Sequence, residues 1–263
     1  MSPFFASPAA APMIVAALHL PDLSVDRDLS MAFLEDYVLA NARVFVDAGI
    51  RRIMLQDQTR QKGAATAETI AVTTALGRAM KQHFPEISLG IIVQAHDAVA
   101  PLAIAHATGA DFVRLKVFVG AAMTIEGTKE GLAVEARTYR HRLRRDDLVI
   151  LADVFDRTAV PLIDIPLEEA AKAAVKLGAD GLILTGATFA ESLERIRSTR
   201  AAGVIRPILL GGGVTAENVA EALGAADGVI VSTALMRDGA RGGDILHWDA
   251  EKCAALMQAA GAA

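Results

Sequence analysis

The chain is poor in cysteine and in large aromatics: its 263 residues carry one Cys, one Trp and two Tyr, and aromatics make up 5% of the whole. The lone Cys253 excludes an internal disulfide and fits a reducing compartment, so a cytoplasmic location is the expectation. Positive charge is scarce as well. With 26 Lys and Arg against 31 Asp and Glu, a formal charge of −5, there is no basic stripe of the kind a nucleic-acid-binding surface needs. The densest basic run, Arg140-His-Arg-Leu-Arg-Arg145, follows a helical pattern and reads as cations at a helix C-terminus. No apolar run reaches the roughly 18 residues of a membrane span. Residues 1–12 have no basic region ahead of their apolar stretch, so they read as a flexible N-terminal segment and not as a secretory signal.

What is abundant is small aliphatic bulk. The hydrophobic fraction is 53%, mostly Ala, Val, Leu and Ile, the residues that fill parallel strands buried on both faces. The length suits one (β/α)₈ TIM barrel, typically about 250 residues, and residues 13–263 are assigned to it as a single domain. Short β-branched runs at 14–18, 53–55, 89–93, 112–115, 148–152, 182–184, 208–210 and 229–231 alternate with helical periodicity. Thr108-Gly-Ala-Asp-Phe-Val113, Leu177-Gly-Ala-Asp-Gly-Leu182 and Gly224-Ala-Ala-Asp-Gly-Val229 repeat one helix-stop, turn and strand-start. The Gly ends a helix and the Asp caps the turn. These sites mark the barrel floor, which makes Asp111, Asp180 and Asp227 structural.

Function then belongs at the opposite strand ends. Pro207-Ile-Leu-Leu-Gly-Gly-Gly-Val-Thr-Ala-Glu-Asn218 and Ala226-Asp-Gly-Val-Ile-Val-Ser-Thr-Ala-Leu235 each run from an apolar strand into small residues and a helix start. Backbone N–H groups at Gly212, Gly213, Ser232 and Thr233 are expected to form a phosphate cup, with Gly186 beside it. The other strands end in His19, Gln56-Asp57, Gln94, Lys116, Asp153 and Thr185, a ring of polar groups suited to a small-molecule cleft. The period of two puts Phe112, Arg114 and Lys116 on one face of strand four, pointing both cations into the barrel. Lys116 next to Asp153 reads either as an oxyanion or Schiff-base lysine or as a buried ion pair. The long connection after strand four, with Thr124, Glu126 and three glycines, reads as a lid.

Taken together, His19-Leu-Pro, Ala107-Thr-Gly-Ala-Asp-Phe-Val-Arg114, Gly120-Ala-Ala-Met-Thr-Ile-Glu-Gly127, Glu135-Ala-Arg-Thr-Tyr-Arg140, Ala152-Asp-Val154, Thr185-Gly186, Gly212-Gly-Val-Thr-Ala-Glu-Asn218 and Asp238-Gly239 resemble the BtpA/SgcQ family. The resemblance implies a barrel related to the ribulose-phosphate-binding group. It also implies either a sugar-metabolism enzyme or a factor in photosystem I biogenesis. The chain departs from the family pattern at Gln56-Asp57, where Glu-Asn is usual, at Gln94 and Lys116, where Asn is usual, and at Asp156-Arg157, where Lys-His is usual. The phosphate end is kept and the reacting end altered.

The expected activity is that of an isomerase, epimerase or lyase on a small phosphorylated sugar or sugar acid. It would abstract a proton next to a carbonyl, with Asp153 or Asp57 as base and Lys116 or His19 stabilising the enediolate oxygen. Glu126 joins this catalytic set, and Gln56, Gln94, Arg114 and Thr185 are expected to touch substrate. No cofactor is evident; a divalent metal shared by Asp57, Asp153 and Glu126 is conceivable, but three carboxylates on separate loops are a poor sequence signal for one. The alternative is a non-catalytic assembly factor or metabolite-binding barrel. No nucleic acid or membrane partner is expected, and exposed helix faces leave room for a homo-oligomer.

Overall fold

The computed structural model describes residues 3–5 and 12–261. Eight parallel strands close into a barrel in the order β1 (Ile14–His19), β2 (Arg52–Gln56), β3 (Ser88–Ile92), β4 (Phe112–Leu115), β7 (Val149–Asp153), β9 (Gly181–Leu184), β10 (Ile208–Leu210) and β11 (Gly228–Val231), which returns to β1. Around it lie α1 (Met31–Asp47), α2 (Ala67–His83), α3 (Ala100–Thr108), α4 (Ala133–Arg142), α5 (Leu167–Lys176), α6 (Phe189–Ala201), α7 (Val219–Ala225) and α8 (Ala250–Ala259). This is the (β/α)₈ architecture the sequence implies. Among the described residues no helix is long and apolar enough to cross a membrane.

Two apolar layers hold it. Strand residues facing outward, such as Ala16, Leu18, Ile53, Leu55, Val113 and Ile150, pack under the helices. Those facing inward, including Val15, Ala17, Met54, Ile92, Phe112, Leu151, Ile183, Leu209 and Ile230, fill the barrel, as a packed barrel core requires. Phe112 is the bulkiest of them, and Gly90 makes room for it: a Cβ at Gly90 would stand 2.1 Å from the Phe112 ring.

The flexible-segment expectation for residues 1–12 falls partly outside the described residues. Within them it needs correction, because Pro3–Phe5 forms a 3₁₀ turn that stoppers the barrel floor. Phe4 is buried in the inner cluster and packs on Phe112 with ring centroids 4.6 Å apart. Arg52 donates to the Phe4 carbonyl at 3.1 Å. An apolar pair of phenylalanines at an otherwise open barrel end gains more by burial than by solvation.

The floor aspartates are structural, but they do not cap their own turns. Each reaches the neighbouring strand: Leu89, Ile150 and Ile208 donate backbone N–H bonds to Asp111, Asp180 and Asp227 at 2.9, 2.9 and 2.7 Å. Each also takes a cation from the helix that leads into that neighbouring strand, Lys81 of α2, Arg140 of α4 and Arg200 of α6 respectively. Arg140 therefore works as a floor tie beyond its place in the last turn of α4.

The expected bare lid loop is instead a small sheet. β5 (Ala121–Thr124) and β6 (Gly127–Glu130) form a hairpin, and β8 (Val160–Pro161), from the segment after β7, adds to β5. The strands are so short that neither pattern nor length announces them in the sequence. The sheet joins the segments that follow two adjacent barrel strands, β4 and β7.

Candidate active site

At the C-terminal ends of the strands a cleft of about 430 Å³ opens over the barrel. Gly211 to Thr215 after β10 and Ser232 to Ala234 after β11 form one wall, and His19, Gln56, Thr185, Arg114, Lys116, Asp156 and Arg157 stand around the rest. Of the residues singled out from the sequence, His19, Gln56, Arg114, Lys116, Thr185, Gly212, Gly213, Ser232 and Thr233 are thus brought to one cleft. Gln94 and Glu126 line a narrower recess that continues it under the hairpin, past Arg114, Lys116, Asp156 and Thr158.

The glycine wall has the features of an anion cup. Gly211 spends its N–H on the Leu184 carbonyl, as the last rung of the barrel ladder. It must lack a side chain, because a Cβ would lie 2.3 Å from Thr185 Oγ1. Beyond it, the N–H groups of Gly212, Gly213, Ser232 and Thr233 have no acceptor among the described residues. Gly213 has φ +76°, the left-handed conformation that glycine adopts at no steric cost. Arg157 hangs over this turn, its guanidinium 3.8 Å from where a Gly212 Cβ would be, and it has no carboxylate partner among the described residues. Thr185 Oγ1 is buried and equally without a partner among them.

Ser232 is tied to β1. Its hydroxyl donates to the Ala17 carbonyl at 3.0 Å, and the His19 Nε2 lies 3.0 Å from the same oxygen. With the serine proton committed, the imidazole donates from Nε2 and leaves Nδ1 as an acceptor. Burial, reinforced by the Arg114 charge, lowers the His19 pKa from 6.5 to about 4, so the ring is neutral near pH 7.

Opposite the cup lie two ion pairs. Arg114 grips Asp153 with two bonds of 2.8 Å. Lys116 donates to Gln94 Oε1 at 3.2 Å and sits 3.6 Å from Asp156. Burial raises the Asp153 carboxyl, against the pull of Arg114; burial alone would lower Arg114, and the Asp153 carboxylate more than reverses that. Asp156 behaves differently: burial would raise it, but Lys116 and the Thr158 N–H hold it below the usual carboxylate range. It is therefore an ionised carboxylate in the cleft wall. Two non-glycine residues beside this pair, Val117 (φ 43°) and Phe155 (φ 53°), take left-handed backbone conformations. For a β-branched valine this is a strained geometry of the kind that clusters at functional sites.

Several expectations are corrected. The buried pair is Arg114–Asp153 and not Lys116–Asp153, because Arg114 presents a planar fork to both carboxylate oxygens. Asp153 lies beneath Arg114, 3% exposed, and does not line the cleft. Asp57 is turned away too: its carboxylate accepts the N–H groups of Thr59 and Gln94 and braces two loops. Burial raises its pKa, partly offset by those bonds. Gly186 gives its N–H to Ser192 Oγ, and a Cβ there would meet Glu191 at 2.7 Å; it is a packing residue outside the cup. Glu126 pairs with Arg60. Asp57, Asp153 and Glu126 do not converge, and among the described residues no group of three His, Cys, Asp or Glu is placed to hold a metal.

Asp156 and Arg157 were missed as site residues. Their signal lay in the sequence, where they replace the usual Lys-His pair, but they follow β7 by three and four positions. A reading confined to the first polar residue after each strand passes over them.

The comparisons agree with this architecture. A model of the BtpA family matches residues 10–262. An uncharacterised protein of Archaeoglobus fulgidus is 36% identical over 231 residues, covering 86% of this chain and 91% of that protein. The photosystem I biogenesis protein BtpA of Synechocystis is 39% identical over 154 residues, 57% of this chain and 53% of its own. Among solved structures, a 3-hexulose-6-phosphate synthase superimposes with a TM-score of 0.58 at 17% identity, covering 94% of this chain and 99% of that one. The 3-keto-L-gulonate-6-phosphate decarboxylase of Vibrio cholerae gives 0.55 at 18% identity, covering 95% and 97%. At such identities the likeness concerns the fold.

Proposed function

The chain belongs to the BtpA family, and from the cleft geometry we propose that it is an enzyme acting on a small phosphorylated hydroxycarbonyl compound, a sugar phosphate or phosphorylated sugar acid. The observation that carries this reading is the pairing of four unengaged N–H groups and the unpaired Arg157 on one wall with the Lys116–Asp156 pair on the other. The phosphate occupies the cup, where backbone dipoles and a cation are set before the ligand arrives. Its binding energy, remote from the reacting atoms, holds the substrate in place.

Asp156 is the base. It takes a proton from the carbon next to the carbonyl, and the bonding electrons move onto the carbonyl oxygen. The Lys116 ammonium stabilises the enediolate that forms. Returning the proton at the neighbouring carbon gives isomerisation, and returning it on the other face gives epimerisation. His19, neutral, fixes Ser232 and with it the second half of the cup. Proton transfer is not required of Asp153: paired with Arg114, it sets the position of that side chain beside Lys116.

A second reading, a barrel that binds a partner without turnover, is favoured by one observation, the biogenesis role in the name of the Synechocystis relative. Lys116→Met and Arg157→Met separate the two. In an assay of sugar phosphates with detection of exchange from solvent deuterium, Lys116→Met should lose turnover by about 10²-fold or more while still binding ligand. Arg157→Met should weaken binding by about tenfold. Retention of full exchange by Lys116→Met would overturn the role given to Lys116, absence of exchange in wild type with every sugar phosphate tried would overturn the enzyme assignment, and unimpaired assembly function in both variants would then favour the second reading.

A further inference from the structure

The recess under the hairpin is continuous with the cleft through Arg114, Lys116 and Asp156, and it ends among Arg60, His96, Glu126 and Lys129. Its charges are nearly all engaged. Glu126 pairs with Arg60, and Asp156 with Lys116. Asp97 spends its two oxygens on the backbone N–H groups of Ala65, Val99 and Ala100 at the start of α3. Lys129, half-buried in the recess wall on β6, makes no hydrogen bond and no direct ion pair among the described residues; Glu126, already held by Arg60, attracts it only through space. A half-buried ammonium without a contacting counter-charge loses solvation with little return unless an anion joins it.

Arg157, at the cup, is the other unpaired cation of the trough. The groups between them suit hydroxyls. His96 has its Nε2 2.6 Å from the Glu130 carbonyl, which makes that nitrogen the donor and leaves Nδ1 to accept. Gln94 presents its amide nitrogen once Oε1 has accepted from Lys116. We propose that the substrate is a polyol chain with an anionic group at each end, its phosphate in the glycine cup and a second anion, a carboxylate or second phosphate, on Lys129. This rests on the proposed function above and narrows it: a compound with one phosphate and a neutral far end leaves Lys129 unused. Because Lys129 rides on the hairpin, the second anion also holds the small sheet over the reacting pair.

The test is titration calorimetry of the full chain with ribose 5-phosphate, 6-phosphogluconate and ribulose 1,5-bisphosphate, against wild type, Lys129→Met and Arg157→Met. Wild type should bind the two chains with an anionic group at each end about tenfold or more tighter than ribose 5-phosphate, the scale of one charge-assisted contact. Lys129→Met should erase that preference and leave ribose 5-phosphate binding unchanged; Arg157→Met should weaken all three. Equal affinity for the three in wild type, or a preference that survives Lys129→Met, overturns the second-anion site while the cup stands. If no phosphorylated compound binds to wild type, the cup itself fails and the inference falls with it. Far-ultraviolet circular dichroism of Lys129→Met, and its retained affinity for ribose 5-phosphate, separate a folding defect from a lost contact.

Discussion

His19, half-buried, and Asp153, fully buried, are both polar groups at strand ends, yet their surroundings give them opposite duties. His19 is kept neutral by burial, with a pKa lowered to about 4. The unfolded chain, with an ordinary imidazole near 6.5, binds a proton that the folded chain refuses between these values. Stability from this residue is therefore whole above pH 6.5 and is lost progressively down to about pH 4, by about 3 kcal/mol in all. Asp57, whose pKa is raised, works in the opposite direction at the acid end, so the contribution must be read as a difference. Urea unfolding of wild type and His19→Gln at pH 7.5 and 4.5 should show wild type losing more stability on acidification; equal losses would contradict a neutral buried imidazole. Asp153 is instead half of a buried pair. Asp153→Ala leaves the Arg114 charge unaccompanied and should cost about 3–5 kcal/mol. Lys116→Met, which breaks a looser pair at 3.6 Å with the lysine 29% exposed, should cost less than about 1 kcal/mol. Denaturant midpoints for the two variants check the ranking. The sequence could place Arg114, Lys116 and Asp153 at one barrel mouth from periodicity alone. Which cation takes the carboxylate depends on side-chain reach and on the fork geometry of arginine, and neither is visible in a strand pattern.

Elements show the same division between what periodicity carries and what it does not. The barrel strands and their helices are legible because each needs an apolar face of fixed period and a capped end: Ser30, Thr66, Thr188 and Asp249 all accept N–H bonds from the first turns they precede. The hairpin of β5 and β6 is not, since four-residue strands with residues such as Thr128 and Glu130 exposed carry no apolar alternation. The floor aspartates were legible as structural from their repeat, while their partners lay one strand away and more than eighteen residues off in sequence for each. Inside the barrel, β3 and β4 depend on a size match. Gly90→Ala drives a methyl group into the Phe112 ring, 2.1 Å from its ideal position, and should destabilise by about 1–3 kcal/mol through overpacking. Phe112→Leu in the same chain should recover part of that loss, because the two residues share one space. A double-mutant cycle with additive costs would mean that Gly90 is there for another reason.

At the scale of the molecule, the barrel separates stability from chemistry by placing them at opposite ends. Phe4 and Phe5 close the floor against Phe112 and Gly181, and the aspartate ties ring it; the cup, the Lys116–Asp156 pair and the hairpin sit at the mouth. Between the two ends runs the inner apolar layer. Substitutions at the ends should then be separable. Phe4→Ala removes a ring that is 6% exposed and should cost about 3 kcal/mol or more, lowering the thermal midpoint by roughly 2–4 °C per kcal/mol in a chain near this size. Its affinity for a phosphorylated ligand, measured below both midpoints, should equal that of wild type. Arg157→Met should do the reverse, leaving the unliganded midpoint within about 1–2 °C of wild type, as expected for an exposed surface change, while cutting the upward shift produced by ligand at 100 times the wild-type Kd to about half. If Phe4→Ala weakens ligand binding as much as Arg157→Met does, the floor and mouth are coupled through the barrel layer, and the inner side chains must have two packing arrangements.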